Sequence, residues 1–333
     1  MRPLPHVLAR LVVIGALTAE AASHHRSPII GGVHVGYVAA TVNIGTPPRN
    51  FDVILDTGSS RTVLPCVDCV DCGHEHAYDP ARSSTARGTQ HTFKLRYVEG
   101  SSLGGRYWSD VVVVGGDEAR MDVGCASTMT KMFRTQAADG IAGLDDDPSS
   151  LVQALRAQHH SNTFGLRLCP GNRYFEVGRF HDEERGVQAP FHKRNGNYFV
   201  NVVGVGVTGE ARLAHGARWL IDSGTTYMYV DSVVLAWVRR RLSKIVGPSD
   251  FRSDVGCVRS GASLPDLHLY LGNGASLRLA PAQYAYRDGG SLCVGVFATG
   301  IGNANTLGLI ALEGRATSFD LVRDIVRFQN CTE

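Results

Sequence analysis

The chain has 333 residues, 44% hydrophobic and 19% charged, a balance that excludes a disordered chain and leaves length for two domains, each with its own core. Its 33 lysines and arginines against 31 acids give a net charge of +2, so nothing indicates nucleic acid as a partner.

Met1 to Ala22 reads as a secretory signal peptide. Arg2 and Arg10 flank its start, Leu11 to Leu17 is apolar, and Ala19-Glu20-Ala21 offers small residues for cleavage. That apolar core is short for a bilayer span, a signal-anchor being the alternative, and no other long apolar run appears. The eight cysteines fit this route, because the secretory lumen permits disulfides. Cleavage near Ala21 or Ala22 would leave residues 23–28 as a short N-terminal segment. Asp56 would then lie about 34 residues into the mature chain, with no room for a long pro-segment.

Tyr37 to Gly45 alternates as a strand, Ile44 to Pro48 forms a turn, and Phe51 to Leu55 reads as a buried strand. That strand runs into Asp56-Thr57-Gly58-Ser59-Ser60, an acid at a tight turn, which alone often does no more than end a strand. Cys66, Cys69 and Cys72 follow, with His74, Glu75 and His76. In a cytosolic chain this spacing would suit zinc or an iron–sulfur cluster; behind a signal peptide disulfides are preferred. Lys94 to Gly105 reads as a hairpin with a glycine-rich tip. Ser149 to Gln158 is a short helix with Leu151, Val152 and Leu155 on one face. Phe164 to Leu168 is a strand, and Pro170 to Asn172 and Arg179 to Arg194 read as loop-rich segments between two lobes.

The second half repeats the first. Tyr198 to Gly206 echoes Tyr37 to Gly45, and Trp219-Leu220-Ile221 leads into Asp222-Ser223-Gly224-Thr225-Thr226. Ile141-Ala142-Gly143-Leu144 is matched by Leu307-Gly308-Leu309-Ile310. Asp56 lies 87 residues before Gly143, and Asp222 lies 86 before Gly308. Matched order and spacing predict two homologous lobes, each donating one acid to a shared cleft. Val233 to Val246 reads as an amphipathic helix carrying Arg239-Arg240-Arg241 on its solvated face. Asp324 to Phe328 is expected to return as a strand joining both lobes, and Asn330-Cys331-Thr332 is a formal glycosylation sequon.

With both Asp-Thr/Ser-Gly turns and their downstream partners in place, the chain resembles the pepsin-like aspartic proteases across nearly all of its length after the N-terminal segment. The resemblance implies a mainly β, bilobal fold of two β-barrel-like lobes, residues 29–168 and 169–333, with the last strand in an inter-lobe sheet. It implies an aspartic endopeptidase in which Asp56 and Asp222 activate a water, with no cofactor, no metal and no covalent intermediate. Thr57 and Ser223 match positions that bind across the two active-site loops, and Ser59 and Thr225 those that hydrogen-bond the outer carboxylate oxygens. Gly58 and Gly224 let backbone amides approach the acids closely. Tyr97, Val98, Glu99 and Gly100 fall in the flap, a hairpin that closes over an extended peptide. Thr226 and Gln136 are further candidates for substrate contact. The implied partners are proteins or peptides, bound by a monomer in the secretory lumen (endoplasmic reticulum, Golgi or vacuole) or outside the cell, without evident membrane anchoring.

Cys66-xx-Cys69-xx-Cys72-Gly73, with Tyr78 and Ser83-Ser84-Thr85, is similar to the cysteine-rich insert of plasmepsin V-like and nepenthesin-like proteases. By that analogy Cys66 pairs with Cys69, Cys72 with Cys125, Cys257 with Cys293 and Cys169 with Cys331. Three positions depart from the usual pattern. Val63 replaces a tryptophan that ordinarily partners the flap tyrosine, Leu309 stands where many relatives carry an acid, and Glu99 places a charge in the flap. Plasmepsin V-like enzymes also have that glutamate, and they cleave after a leucine that follows an upstream arginine. Glu99 with Gln136 is therefore expected to contact a basic side chain two positions before the scissile residue, a solvated flap-tip acid being the alternative. Two other readings compete: a catalytically inactive binding or inhibitor protein on the same fold, and a zinc-binding module built on the cysteine insert.

Overall fold

The computed structural model describes residues 26–331 apart from 71, 74–75, 98–99, 158–161, 179–185, 248–249, 253–255, 259–262 and 301. The signal peptide, His74, Glu75, Val98 and Glu99 therefore lie outside the described residues. No helix among the described residues is long and apolar enough to cross a membrane.

The fold is mainly β and two-lobed. In the first lobe Tyr37–Ile44 pairs antiparallel with Arg49–Asp56, and Ser102–Val114 with Asp117–Met129. Two parallel pairings break this plan. Arg49–Asp56 lies beside Gly140–Gly143, with Asp56 opposite Gly143, and Thr62–Pro65 lies beside Asp117–Met129. The second lobe repeats the first of these pairings: Leu213–Ile221 runs parallel to Asn305–Leu307, with Ile221 opposite Leu307. Each acid thus sits at the end of an apolar strand buttressed by a later strand running the same way. Val53, Leu55, Ile221 and Leu307 join one buried cluster and Ile54 with Ile141 another, so the first lobe's strand end is packed on both faces.

An antiparallel sheet joins the lobes in the order Arg26–Gly32, Asn172–Val177, Thr163–Cys169, Arg315–Asp320, Ile325–Asn330, Val187–Arg194. The last of these corrects the loop-rich reading of Arg179 to Arg194. Residues 187–190 pair with Ile325–Asn330 and 191–194 with Asn197–Val207. Ala189 and Phe191 point inward between exposed Gln188, Pro190 and His192, the alternation of a half-buried strand. Phe164, Phe191, Tyr198 and Phe319 pack together above this sheet, Phe164 stacked on Phe319 at 4.7 Å and Tyr198 against Phe319 at 4.9 Å. The Tyr198 hydroxyl donates to Leu144 O at 3.1 Å, which ties this second-lobe aromatic to the first lobe's active-site strand.

Two disulfide expectations are overturned. Cys66 pairs with Cys125 and Cys69 with Cys72, not Cys66 with Cys69 and Cys72 with Cys125. Sheet register decides this: Leu64 stands opposite Cys125 and Pro65 opposite Ala126, and the Cys66 amide donates to Ala126 O at 2.9 Å. Cys66 is thereby carried to the neighbouring strand, and Cys69 and Cys72 close their own short loop. Cys169 pairs with Cys331 and Cys257 with Cys293. Tyr78, Ser83 and Thr85, downstream of the insert, converge on buried Asp110, whose carboxylate accepts their hydroxyls at 2.8, 3.1 and 2.7 Å.

The first helix is shorter than the sequence reading. It spans Leu151–Arg156, because Ser150 is the cap whose hydroxyl accepts the Gln153 amide at 3.3 Å. The second, Ser232–Val246, is capped by Asp231 and buries Val234, Trp237, Val238 and Leu242. In its basic run Arg240 is exposed while Arg239 and Arg241 are half-buried, Arg241 bonded to Glu210 at 2.9 Å.

Candidate active site

Asp56 and Asp222 are held alike by the turns that follow them. The Gly58 amide donates to Asp56 Oδ1 at 2.8 Å and the Ser59 hydroxyl to Oδ2 at 2.5 Å. In the second turn the Gly224 and Thr225 amides donate to Asp222 Oδ1 at 2.9 and 3.1 Å, and the Thr225 hydroxyl to Oδ2 at 2.6 Å. Five short, charge-assisted contacts therefore hold the pair: a glycine amide and a hydroxyl on each acid, with the Thr225 amide as a third on Asp222.

Thr57 and Ser223 lock the turns together. The Thr57 hydroxyl donates to Ile221 O at 2.9 Å and accepts the Ser223 amide at 3.0 Å. The Ser223 hydroxyl donates to Leu55 O at 2.6 Å and accepts the Thr57 amide at 3.1 Å. Both residues are fully buried, so each of these bonds satisfies a backbone group that water does not reach. The glycines set the spacing. A Cβ on Gly58 would stand 2.7 Å from Asp222 Cγ, and one on Gly224 would stand 2.3 Å from Asp56 Oδ1. Each acid rests against the other's glycine, which brings the two carboxyl groups face to face.

Electrostatics follow from this proximity. Burial first, and then the negative charge of Asp222, push the Asp56 carboxyl well above the usual carboxylate range, against the pull of the Ser59 and Gly58 hydrogen bonds. Two close carboxyls titrate as one unit, and such a pair holds one proton where isolated acids would have lost it.

Above the first turn, Arg87–Arg96 pairs with Ser102–Val114 up to Arg96 opposite Ser102. The Tyr97 amide donates to Ser101 O and the Gly100 amide to Tyr97 O, both at 2.9 Å, and Gly100 adopts φ +89°, which favours glycine. The Tyr97 ring packs on buried Phe133 at 4.9 Å, so an aromatic partner exists despite Val63, which is fully buried opposite Gly124 and Ile141. Thr226 donates its hydroxyl to Gly36 O at 2.6 Å, and the Gln136 amide closes the Lys131–Arg134 turn onto Met132 O at 3.0 Å. Among the described residues neither is hydrogen-bonded to the two acids. Leu309, in place of an acid, donates its amide to Thr225 O at 2.7 Å.

The sequence reading missed three contributors: Phe133 beneath the hairpin, Asp110 beneath the cysteine insert, and Asp145, a buried acid behind the first turn. Asp145 carries the one signal that was readable, a triple acid directly after the apolar run Ile141 to Leu144.

The eukaryotic aspartyl protease family model matches residues 37–162, and the xylanase inhibitor C-terminal model matches residues 197–330. Cathepsin E-A of Xenopus laevis is 26% identical over 80% of this chain and 70% of its own length. The vacuolar aspartic protease of Candida albicans is 28% identical over 94% of this chain and 78% of its own. Aspartic protease 5 of Toxoplasma gondii is 34% identical over 32% of this chain and 15% of its own length. With paired aspartyl turns, mirrored lobes and matches of this kind across both halves, the chain belongs to the pepsin-like aspartic proteases and is an aspartic endopeptidase.

Proposed function

We propose that Asp56 and Asp222 are the catalytic pair. The observation that carries this reading is the mirrored cage: each carboxylate is fixed by its own turn and packed on the other's glycine. The ionised member takes a proton from a water as that water attacks the scissile amide carbonyl. Its protonated partner donates to the developing oxyanion, and the pair then exchanges protons to release the amine. Aspartic proteases are the standard example of two carboxyls sharing a proton in this way. Thr57 and Ser223 hold the acids in register, and Ser59 and Thr225 hold their outer oxygens.

The hairpin carrying Tyr97 serves as the flap, closing over an extended peptide with Tyr97 braced on Phe133. The proposed substrate carries a basic residue two positions before the scissile leucine, a preference that rests on the sequence positions of Glu99 and Gln136. The proposed setting is the secretory lumen or the cell exterior. Its support is the leader reading of Met1 to Ala22 and four disulfides, which persist in an oxidising compartment.

Cleavage of a peptide library between about pH 4 and pH 7, beside Asp56→Asn and Glu99→Ala variants, tests this. The reading predicts cleavage lost in Asp56→Asn and arginine preference lost in Glu99→Ala. No cleavage by correctly disulfide-bonded wild-type protein would favour an inactive binding protein instead. Arginine preference unaltered in Glu99→Ala would remove the specificity assignment.

A further inference from the structure

Asp145 is a third acid built into the back of the first active-site turn. The Leu144 amide donates to Asp56 O at 2.8 Å, and the Asp145 amide to Ser59 O at 3.2 Å. The Asp145 carboxylate accepts the Ser60 hydroxyl at 2.7 Å and the Asp147 amide at 3.0 Å. Gly196 of the second lobe closes over it, so near that a Cβ there would stand 2.4 Å from Asp145 Oδ2. Asp145 is 1% exposed. Ser59, which holds Asp56, and Ser60, which holds Asp145, are consecutive residues of one turn clamped between two acids. Among the described residues the second lobe shows no such clamp: counted from Gly308 as Asp145 is from Gly143, the equivalent position is the apolar Ile310, whose amide donates to Thr226 O at 3.0 Å.

We infer that Asp145 is a positioning residue for Asp56: it holds the Ser59–Ser60 turn and, when ionised, keeps the shared proton on the Asp56–Asp222 pair to higher pH than the pair alone would hold it. The inference rests on the catalytic reading of that pair. A like charge disfavours the fully ionised pair, so its loss lets the last proton leave at lower pH. Asp145 itself ionises late, because burial and the neighbouring charges of Asp147 and Asp146 oppose ionisation more than the Ser60 and Asp147 hydrogen bonds favour it. At low pH it is neutral and the pair does not feel it; as pH rises its charge appears.

On the same loop stand Asp146 and Asp147. From the active-site turn Arg61 acts on Asp147, and from the Val187–Arg194 strand Lys193 pairs with Asp146 at 3.1 Å and Asp324 at 2.9 Å. Tyr198 and Arg156 face the loop from the next strand and the first helix. Among the described residues none of these cations pairs with Asp145.

The test compares pH profiles of kcat and KM for one fluorogenic peptide in wild type, Asp145→Asn, Ser60→Ala and Asp56→Asn. In Asp145→Asn the alkaline limb of kcat should move down by about half a pH unit, with a smaller movement of the acid limb. Ser60→Ala, which keeps the acid but removes a bond favouring its anion, should move the same limb the same way and less far. A purely structural role would change KM or stability without moving the limb. An alkaline limb that stays in place, or moves up, in Asp145→Asn overturns the inference; if that variant does not fold, the same reading of Ser60→Ala decides. Activity remaining in Asp56→Asn would remove the catalytic reading, and this inference with it.

Discussion

The Thr57 and Ser223 hydroxyls are exchanged between the two lobes: each accepts the other residue's amide and donates to the carbonyl before the other lobe's acid. This four-bond knot converts two independent strand ends into one rigid floor, and the register of the two carboxyls depends on it. Thr57→Ser keeps the hydroxyl, and should retain kcat within a few-fold. Thr57→Val leaves the Ser223 amide and Ile221 carbonyl buried without partners, at a cost of about 1–3 kcal/mol for each such group. Chemical denaturation of the two variants checks the difference, and kcat should fall at least tenfold further in the valine variant.

Gly224→Ala places a methyl 2.3 Å from Asp56 Oδ1, a distance no contact tolerates, in a region where the backbone on both sides is locked. Activity should fall below about one hundredth of wild type while most of the stability remains, since core overpacking costs about 1–3 kcal/mol. Circular dichroism beside a peptide assay separates the two effects.

The revised disulfides have a chemical readout. Cleavage before Asp68 and Asp71 puts Cys66, Cys69 and Cys72 on separate peptides, and mass spectrometry should then find Cys66 linked to Cys125 and Cys69 to Cys72. Removing the first bridge, with a separation of 59, should cost about 4 kcal/mol by loop entropy, and removing the second, with a separation of 3, about 2 kcal/mol.

Asp145 also makes a stability prediction. Its folded-state pKa is raised, so its contribution is fully present below the unfolded value and is lost as pH rises through the folded one. Asp145→Asn should therefore raise Tm relative to wild type near pH 7, and the gain should shrink toward zero near pH 3.5. The Ser60 hydroxyl can turn to accept from the new carboxamide while the carboxamide oxygen keeps the Asp147 amide, so both contacts of the acid have a counterpart in the variant. Thermal scans across pH check this.

Much of this architecture is legible in the chain because it is written twice. The strand, acid, glycine and hydroxyl order recurs around Asp56 and Asp222, and the apolar runs at Ile141 and Leu307 recur at matching distance, so periodicity and repetition reveal the mirrored lobes. What stays hidden depends on partners far along the chain. Cys66 meets Cys125 only because Leu64 registers beside it, and nothing near Cys66 in sequence encodes that pairing. Val187–Arg194 contains a proline and a charged end, and becomes a strand because two neighbours from distant segments supply its ladder. Asp145 looks like part of a solvated acidic triplet until Gly196 and the Ser59–Ser60 turn close around it.

In the proposed mechanism Asp56 and Asp222 work as one unit on one water. The most direct test is kcat/KM for Asp56→Asn, Asp222→Asn and the double variant, measured on the same peptide. The pair predicts that either single substitution removes nearly all activity and that the double variant is no worse than either. Losses that multiply in the double variant, or substantial turnover in a single one, would contradict it.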